Sequence, residues 1–116
     1  MATLAATAAT YKTVLLTTIS TAIDLGEFTA FGITIPAGWT TANLTFQVSN
    51  DNVTWYDMYD SFGSEYTVTA AASRAILLPV VDFVGFRYLK IRSGTSAAGV
   101  TQGSERTLYL ITLSKT

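Results

Sequence analysis

Cysteine and histidine are both absent from these 116 residues. Without cysteine, the chain can form neither a disulfide framework nor a thiol nucleophile. Without histidine, it lacks the usual general base near neutral pH and the commonest protein ligand for transition metals. Catalytic sites that pair serine or cysteine with histidine are therefore excluded. We expect a protein that is not an enzyme, with no cofactor and no tightly bound metal.

Charged residues are scarce, at 13% of the chain against roughly 25% in an average soluble domain. The formal net charge is −1, so bulk electrostatics attract no phosphate backbone, and we expect no nucleic-acid partner. No run approaches the roughly 18 apolar residues of a membrane helix, and residues 1–10 lack a secretory signal pattern. Two interpretations of the low charge stay open: a surface covered by other subunits, or a β-protein whose 20 threonines keep it soluble.

The length allows one domain with a real core. Residues 44–59 alternate apolar and polar side chains, break at Asn50-Asp51-Asn52 and alternate again, which predicts a β-hairpin. We predict an all-β fold: a single antiparallel β-sandwich or jelly roll of about eight short strands over residues 11–116, after an extended N-terminal arm at residues 1–10. The other strands are predicted at residues 11–18, 23–26, 28–35, 65–69, 74–78, 86–93 and 106–113, with a turn or short 3₁₀ segment at 79–83.

The last predicted strand is apolar on both of its faces. Leu108 and Leu110 fall on one face, and Tyr109, Ile111 and Leu113 fall on the other. A strand with one face in water should alternate apolar with polar residues. Since the outer faces of a small sandwich are wet, we expect the second face to be buried in a homo-oligomer of closed symmetry, a trimer.

The N-terminal arm is a second expected contact surface. Its one sizeable apolar side chain besides Met1 is Leu4, which cannot offset an ordering cost of roughly 1–2 kcal/mol per residue. We therefore expect a neighbouring chain to hold the arm. The runs at residues 15–16 and 76–78 are also apolar at successive positions. The predicted interface residues are Leu4, Tyr11, Trp39, Tyr109, Ile111 and Leu113.

Four acids lie close together in the sequence: Asp51, Asp57, Asp60 and Glu65. Paired carboxylates can serve glycoside hydrolysis or bind Ca²⁺. Acids at turns and strand ends are commoner, however, and no calcium-loop pattern of the form D-x-[DN]-x-[DN]-G is present. We favour the interpretation that these are turn and strand-end residues.

The aromatic residues near the hairpin support an alternative function, a carbohydrate-binding β-sandwich module on a phage fibre or secreted protein. In that case Trp39 and Tyr56 would stack against sugar rings. The competing interpretation places Trp55 and Tyr59 in the core and makes Trp39 an interface anchor. Exposure of the rings side by side on one face, or their burial, discriminates between the two.

Residues 46–55 resemble the hairpin of discoidin-like, galactose-binding-type jelly rolls, in which a strand, an Asp-containing turn and a Trp recur. Residues 86–92, Phe-Arg-Tyr-Leu-Lys-Ile-Arg, are similar to a later strand of that family, and residues 106–113 to its closing strand. The resemblance implies the fold. The ligand-loop residues of that family have no counterpart here, so sugar binding is not implied.

Four segments also resemble small structural proteins of tailed phages. They are Ile-Asp-Leu-Gly-x-Phe at 23–28, Gly-Ile-x-Ile-Pro at 32–36, the hairpin at 44–55, and Arg-x-Leu-Lys-Ile-Arg-Ser-Gly-Thr at 87–95. This resemblance implies a virion protein, such as a capsid decoration (cement) protein that bridges neighbouring capsid subunits, or part of a fibre. The implied partners are further copies of the chain and the major capsid protein or another virion protein.

Overall fold

The computed structural model describes residues 10–115. The predicted arm, residues 1–10, therefore lies outside the described residues except for Thr10, which begins the first strand. Within these residues, α1 (Val80–Phe83) is a single helical turn among β-strands. No helix within 10–115 is long and apolar enough to span a membrane. The strands are β1 (Thr10–Leu16), β2 (Ile23–Asp24), β3 (Phe28–Ile35), β4 (Leu44–Ser49), β5 (Tyr56–Asp57), β6 (Arg74–Leu77), β7 (Tyr88–Ser93) and β8 (Arg106–Ser114).

These strands form two four-stranded antiparallel sheets. The front sheet has the order β1-β8-β3-β6, and the back sheet has the order β2-β7-β4-β5. This order is the jelly-roll topology, in which one long hairpin of eight strands wraps into two sheets. The hairpin pairs β1 with β8, β2 with β7, β3 with β6 and β4 with β5. The predicted antiparallel β-sandwich is confirmed, in its jelly-roll form.

The core lies between the sheets because their inner faces are apolar. Leu108 and Leu110 of β8, Phe46 of β4 and Ile91 of β7 belong to one cluster, and none of them has exposed surface. Strand alternation places these side chains on the inner faces. Phe46 also packs edge to face against Phe83 of α1, with ring centroids 5.2 Å apart, so the helical turn adds an aromatic ring to the core.

The predicted hairpin is present, but its turn is longer than the sequence suggests. β4 and β5 pair in antiparallel register, and residues 50–55 form the connecting loop. Trp55 lies half-buried in this loop and Tyr59 is exposed, so the prediction that both rings pack in the core is wrong. The Trp55 ring instead covers the Lys90 ammonium, which lies 4.4 Å from the ring centroid.

The strand predicted at residues 65–69 is not formed, and only two isolated bridges occur there. The Thr67 hydroxyl donates to the Glu65 carbonyl oxygen at 2.9 Å, a local hydrogen bond of the kind that competes with a strand ladder. Residues 79–83 contain α1, a single α-helical turn.

Candidate interaction surface

The outward side of the front sheet carries no charged residue at any strand position within residues 10–115. Strand alternation and register decide which residues point outward. We call this surface the front face. Its members are Tyr11, Thr13 and Leu15 of β1, Thr107, Tyr109, Ile111 and Leu113 of β8, Gly32, Thr34 and the buried Thr29 of β3, and Ala75 and Leu77 of β6.

One row of the front face crosses all four strands. Tyr11 pairs with Ile111, Ile111 with Gly32, and Gly32 with Leu77. Tyr11 is 63% exposed and Leu77 is 81% exposed, so both ends of the row project into solvent. Contiguous exposed apolar side chains mark an interaction surface, whereas apolar residues exposed singly do not.

A shallow hollow of about 300 Å³ lies at the β1 end of this face. Tyr11, Thr34, Tyr109 and Ile111 line it. The Tyr11 and Tyr109 rings pack edge to face, with centroids 5.4 Å apart, and so hold each other in place. The two rings thus present a preformed apolar surface.

A second hollow, of about 310 Å³, lies between Ile111, Phe31 and Leu77. Gly32 also lines it, and a side chain at this position would be crowded. A Cβ at Gly32 would lie 3.3 Å from the carbonyl oxygen of Ile76 and 3.7 Å from the Ile111 side chain. The missing side chain therefore makes room for the hollow.

Phe31 reaches this hollow through a β-bulge. The pairing of β3 with β8 shifts register between Ala30 and Gly32, which leaves Phe31 without a partner in that ladder. Its carbonyl oxygen accepts a hydrogen bond from the Leu78 N–H at 3.1 Å, which keeps the bulged chain in place. Bulges redirect one side chain, and sequence periodicity carries no signal for them, so the sequence analysis missed Phe31.

Four of the predicted interface residues lie together on the front face: Tyr11, Tyr109, Ile111 and Leu113. Leu4 lies outside the described residues. Leu15 and Leu77 were not named individually, although the apolar runs that contain them indicated two-faced strands.

Trp39 is buried, with 6% exposure, so both roles predicted for it, interface anchor and sugar-stacking ring, are wrong. Its indole Nε1 donates a hydrogen bond to the Ala42 carbonyl oxygen at 3.1 Å. The one polar atom of the ring is therefore satisfied inside the protein. Tyr56 is exposed on β5. Trp39 and Tyr56 do not form the exposed pair of rings that sugar stacking requires.

The acids near the hairpin do not form a single site. Oδ1 of Asp51 accepts hydrogen bonds from the N–H groups of Thr54 at 2.8 Å and Val53 at 2.9 Å, and these bonds hold the pKa of the Asp51 carboxyl below its ordinary value. Asp60 accepts two backbone N–H bonds within its own turn. The turn interpretation is confirmed for these two acids. Within residues 10–115, no three potential metal ligands lie close enough together to hold an ion.

The other two acids, Asp57 and Glu65, bind the Arg92 guanidinium on the back sheet. Arg92 Nη2 lies 2.5 Å from Asp57 Oδ1, Nη1 lies 3.4 Å from Glu65 Oε2, and the Arg92 side chain is 8% exposed. Gln47 Nε2 donates to Asp57 at 3.2 Å, and the Ser96 N–H donates to Glu65 at 3.1 Å. Of these residues, Gln47, Asp57, Arg92 and Ser96 line an open cleft of about 350 Å³. Since Arg92 pairs with both acids, these side chains link β5, β7 and the neighbouring loops.

Comparisons with known proteins found no match: no protein-family model, no curated protein and no solved structure is similar to the chain. Function is therefore proposed from the surfaces of the chain and from the sequence resemblances described above.

Proposed function

We propose that the protein is a non-enzymatic structural subunit that assembles through the front face, with copies of itself and with a larger protein shell. The observation that carries the proposal is the continuous apolar and uncharged surface across β1, β8, β3 and β6. Covering apolar area stabilises an assembly by about 25 cal/mol per Å² removed from water. An uncharged surface gains this stabilisation without the cost of removing ions from water.

The proposed form of self-assembly is a closed homotrimer. β1 and β6 are the outer strands of the front sheet, so the apolar rows run from one unpaired strand edge to the other within residues 10–115. The two edges of the front face differ, since Tyr11 lies at the β1 edge and Leu77 lies at the β6 edge. A contact between the β1 edge of one copy and the β6 edge of the next is heterologous. Heterologous contacts form a closed ring when the rotation between neighbouring copies adds up to a full turn.

Capsid decoration is the more specific proposal. It rests on the resemblance of four segments to small structural proteins of tailed phages. The jelly-roll topology is compatible with it, because viral capsid domains share that topology, as do lectins. A decoration protein bridges neighbouring capsid subunits, and its many copies turn modest contacts into strong binding. Because one fold supports many functions, the particle itself must be tested.

Sedimentation velocity tests the self-assembly. We expect a trimer at micromolar concentration, and Leu77→Lys should give monomers because it places a charge within the apolar contact. Val53→Lys is the matched control, since Val53 is 79% exposed in the loop before β5 and lies off the front face. The control should remain trimeric. A wild-type monomer at these concentrations contradicts the proposed self-assembly.

Purified virions test the capsid role. An antibody raised against the chain should label the outside of the shell by immunogold electron microscopy. Recombinant protein should sediment with particles that lack it, and Leu77→Lys should sediment less. If the chain is absent from purified particles, the capsid role is wrong, even where self-assembly is observed.

A further inference from the structure

A second concave site lies outside the front face, between residues 58–66 and α1. It is a hollow of about 430 Å³, which we call the end hollow. Its walls combine aromatic rings with carboxylates. The aromatic residues are Tyr59, Phe62, Tyr66 and Phe86, and the carboxylates are Asp60 and Asp82.

One wall of the end hollow is anchored in the core. The Tyr66 ring packs edge to face against Phe83 and Phe46, with centroid distances of 5.5 Å and 6.0 Å. The Tyr66 hydroxyl donates to Asp82 Oδ2 at 2.6 Å, which orients the carboxylate. Burial of the phenol, together with the Asp82 carboxylate, raises the pKa of Tyr66, so the hydroxyl stays protonated and keeps donating. No hydrogen bond within residues 10–115 is made by the other oxygen, Asp82 Oδ1.

The opposite rim is a tight turn that exposes a phenylalanine. Asp60 Oδ1 accepts hydrogen bonds from the N–H groups of Phe62 at 2.8 Å and Ser64 at 3.0 Å, and Gly63 adopts φ +89°. Phe62 is nevertheless 93% exposed. Because the turn is already ordered, covering this ring would cost little conformational entropy.

The charge of the end hollow is not balanced within the described chain. Neither Asp60 nor Asp82 takes part in any of the ion pairs formed among residues 10–115. Two carboxylates therefore adjoin aromatic rings, whose faces also carry negative potential. Both features attract a cation, and an aromatic wall favours an organic cation over a metal ion, which requires further oxygen ligands.

We propose that the end hollow binds the basic side chain of a partner protein, a lysine or an arginine. The alkyl stem of such a side chain packs against rings while its charged head reaches the carboxylates. A protein partner is favoured over a free amine because Phe62 projects from the rim and offers apolar area that only a larger molecule covers. The site does not depend on assembly through the front face.

Titration followed by ¹H–¹⁵N NMR tests this site. The probes are N-acetyl-lysine methylamide, a short peptide that contains one lysine, and the same peptide with norleucine in place of lysine. We expect saturable shifts confined to residues 58–66 and 80–86 with both lysine probes, tighter binding of the peptide, and weakening by added salt. The norleucine peptide should bind at least about fivefold more weakly, because it lacks the charge.

Variants identify the groups responsible. Asp82→Asn keeps an acceptor for Tyr66 but removes the charge, and Phe62→Ala removes the rim ring. Each should weaken lysine-peptide binding by about fivefold. Asp51→Asn and Val53→Ala are matched controls, from a similarly capped turn outside the hollow, and should bind as wild type does.

Three results would overturn the proposal: no saturable binding of the lysine peptide, equal binding of the norleucine peptide, or unchanged binding by both Asp82→Asn and Phe62→Ala. Binding of the free lysine derivative but not of the peptide would overturn the protein partner. Binding at the end hollow by a monomeric Leu77→Lys variant separates this site from the front face.

Discussion

The outer sides of the two sheets differ in what covers them. On the front face, apolar rows from Tyr11 to Leu77 project into solvent without a single charged residue at the strand positions within 10–115. On the back sheet, the outward charges have partners in the same chain: Arg92 binds acids of two neighbouring segments, and Lys90 lies under the Trp55 ring.

This difference shows that the low overall charge is distributed unevenly. Within residues 10–115, the outward positions of the back sheet carry charges that have intrachain partners, whereas the outward positions of the front sheet carry no charge. The outward charges of the back sheet are therefore paired by intrachain contacts, whereas the front face exposes apolar side chains of the kind that mark interaction surfaces.

The largest expected effect is the difference in stability between substitutions on the two faces of β8. Leu110 is fully buried, while its neighbour Ile111 lies on the front face. Leu110→Ala should lower the free energy of unfolding by about 2–5 kcal/mol, because it leaves a cavity in the core. Ile111→Ala should lower it by less than about 1 kcal/mol in the monomer. Urea denaturation measures the two values in a Leu77→Lys background, in which we expect both variants to be monomeric. Equal losses would contradict the assignment of the faces.

Removal of the Arg92 charge tests the ion pairs on the outer side of the back sheet. Arg92→Met leaves Asp57 and Glu65 without their cation. We expect a loss of about 2–4 kcal/mol in the free energy of unfolding, because the Arg92 and Glu65 side chains are largely buried. Arg87→Met is the matched control. Its ion pair with Asp24 is exposed and screened by solvent, so the loss should be clearly smaller than that of Arg92→Met. If both variants lose the same amount, burial of the Arg92 cluster is unimportant.

The contact of Trp55 with Lys90 should have a smaller effect. Because Trp55 is half-buried and outside the core, Trp55→Ala should cost about 1–2 kcal/mol, less than the roughly 3–5 kcal/mol of a core tryptophan. A double-mutant cycle with Lys90→Met should give a coupling of about 0.5–1 kcal/mol. A coupling of zero would show that the ring packs on the sheet without any cation–π contribution.

The smallest expected effect depends on pH. Hydrogen bonds from the N–H groups of Thr54 and Val53 lower the pKa of Asp51 in the folded state. The Asp51 charge therefore stabilises the fold at pH values above the unfolded-state pKa. That stabilisation is lost as the pH falls through the folded-state pKa. Asp51→Asn should therefore melt below wild type at pH 7, and the difference should shrink as the pH falls below the ordinary range of an aspartate pKa. Thermal melts from pH 2 to 7 measure it. A difference independent of pH would assign the effect to side-chain geometry alone.

Prediction succeeded where the signal was local and periodic. The alternation in residues 106–113 correctly placed Leu108 and Leu110 inside and Tyr109 outside, because successive side chains of a strand point to opposite faces. The two tryptophans were assigned the wrong way round: Trp39 is buried and Trp55 is only half-buried. Both lie in loops, where no period relates sequence position to burial.

By itself, the sequence determined the all-β class, the hairpin and the apolar character of both sides of β8, since each depends on neighbouring residues in one strand. Only the tertiary structure decided that Tyr11, Phe31 and Leu77 share one surface, and that Asp60 and Asp82 face a common hollow. Those groupings join strands and loops that are distant in the chain. Strand order, a bulge at Phe31 and the partly buried Tyr66 bring them together, and none of these leaves a periodic signal in the sequence.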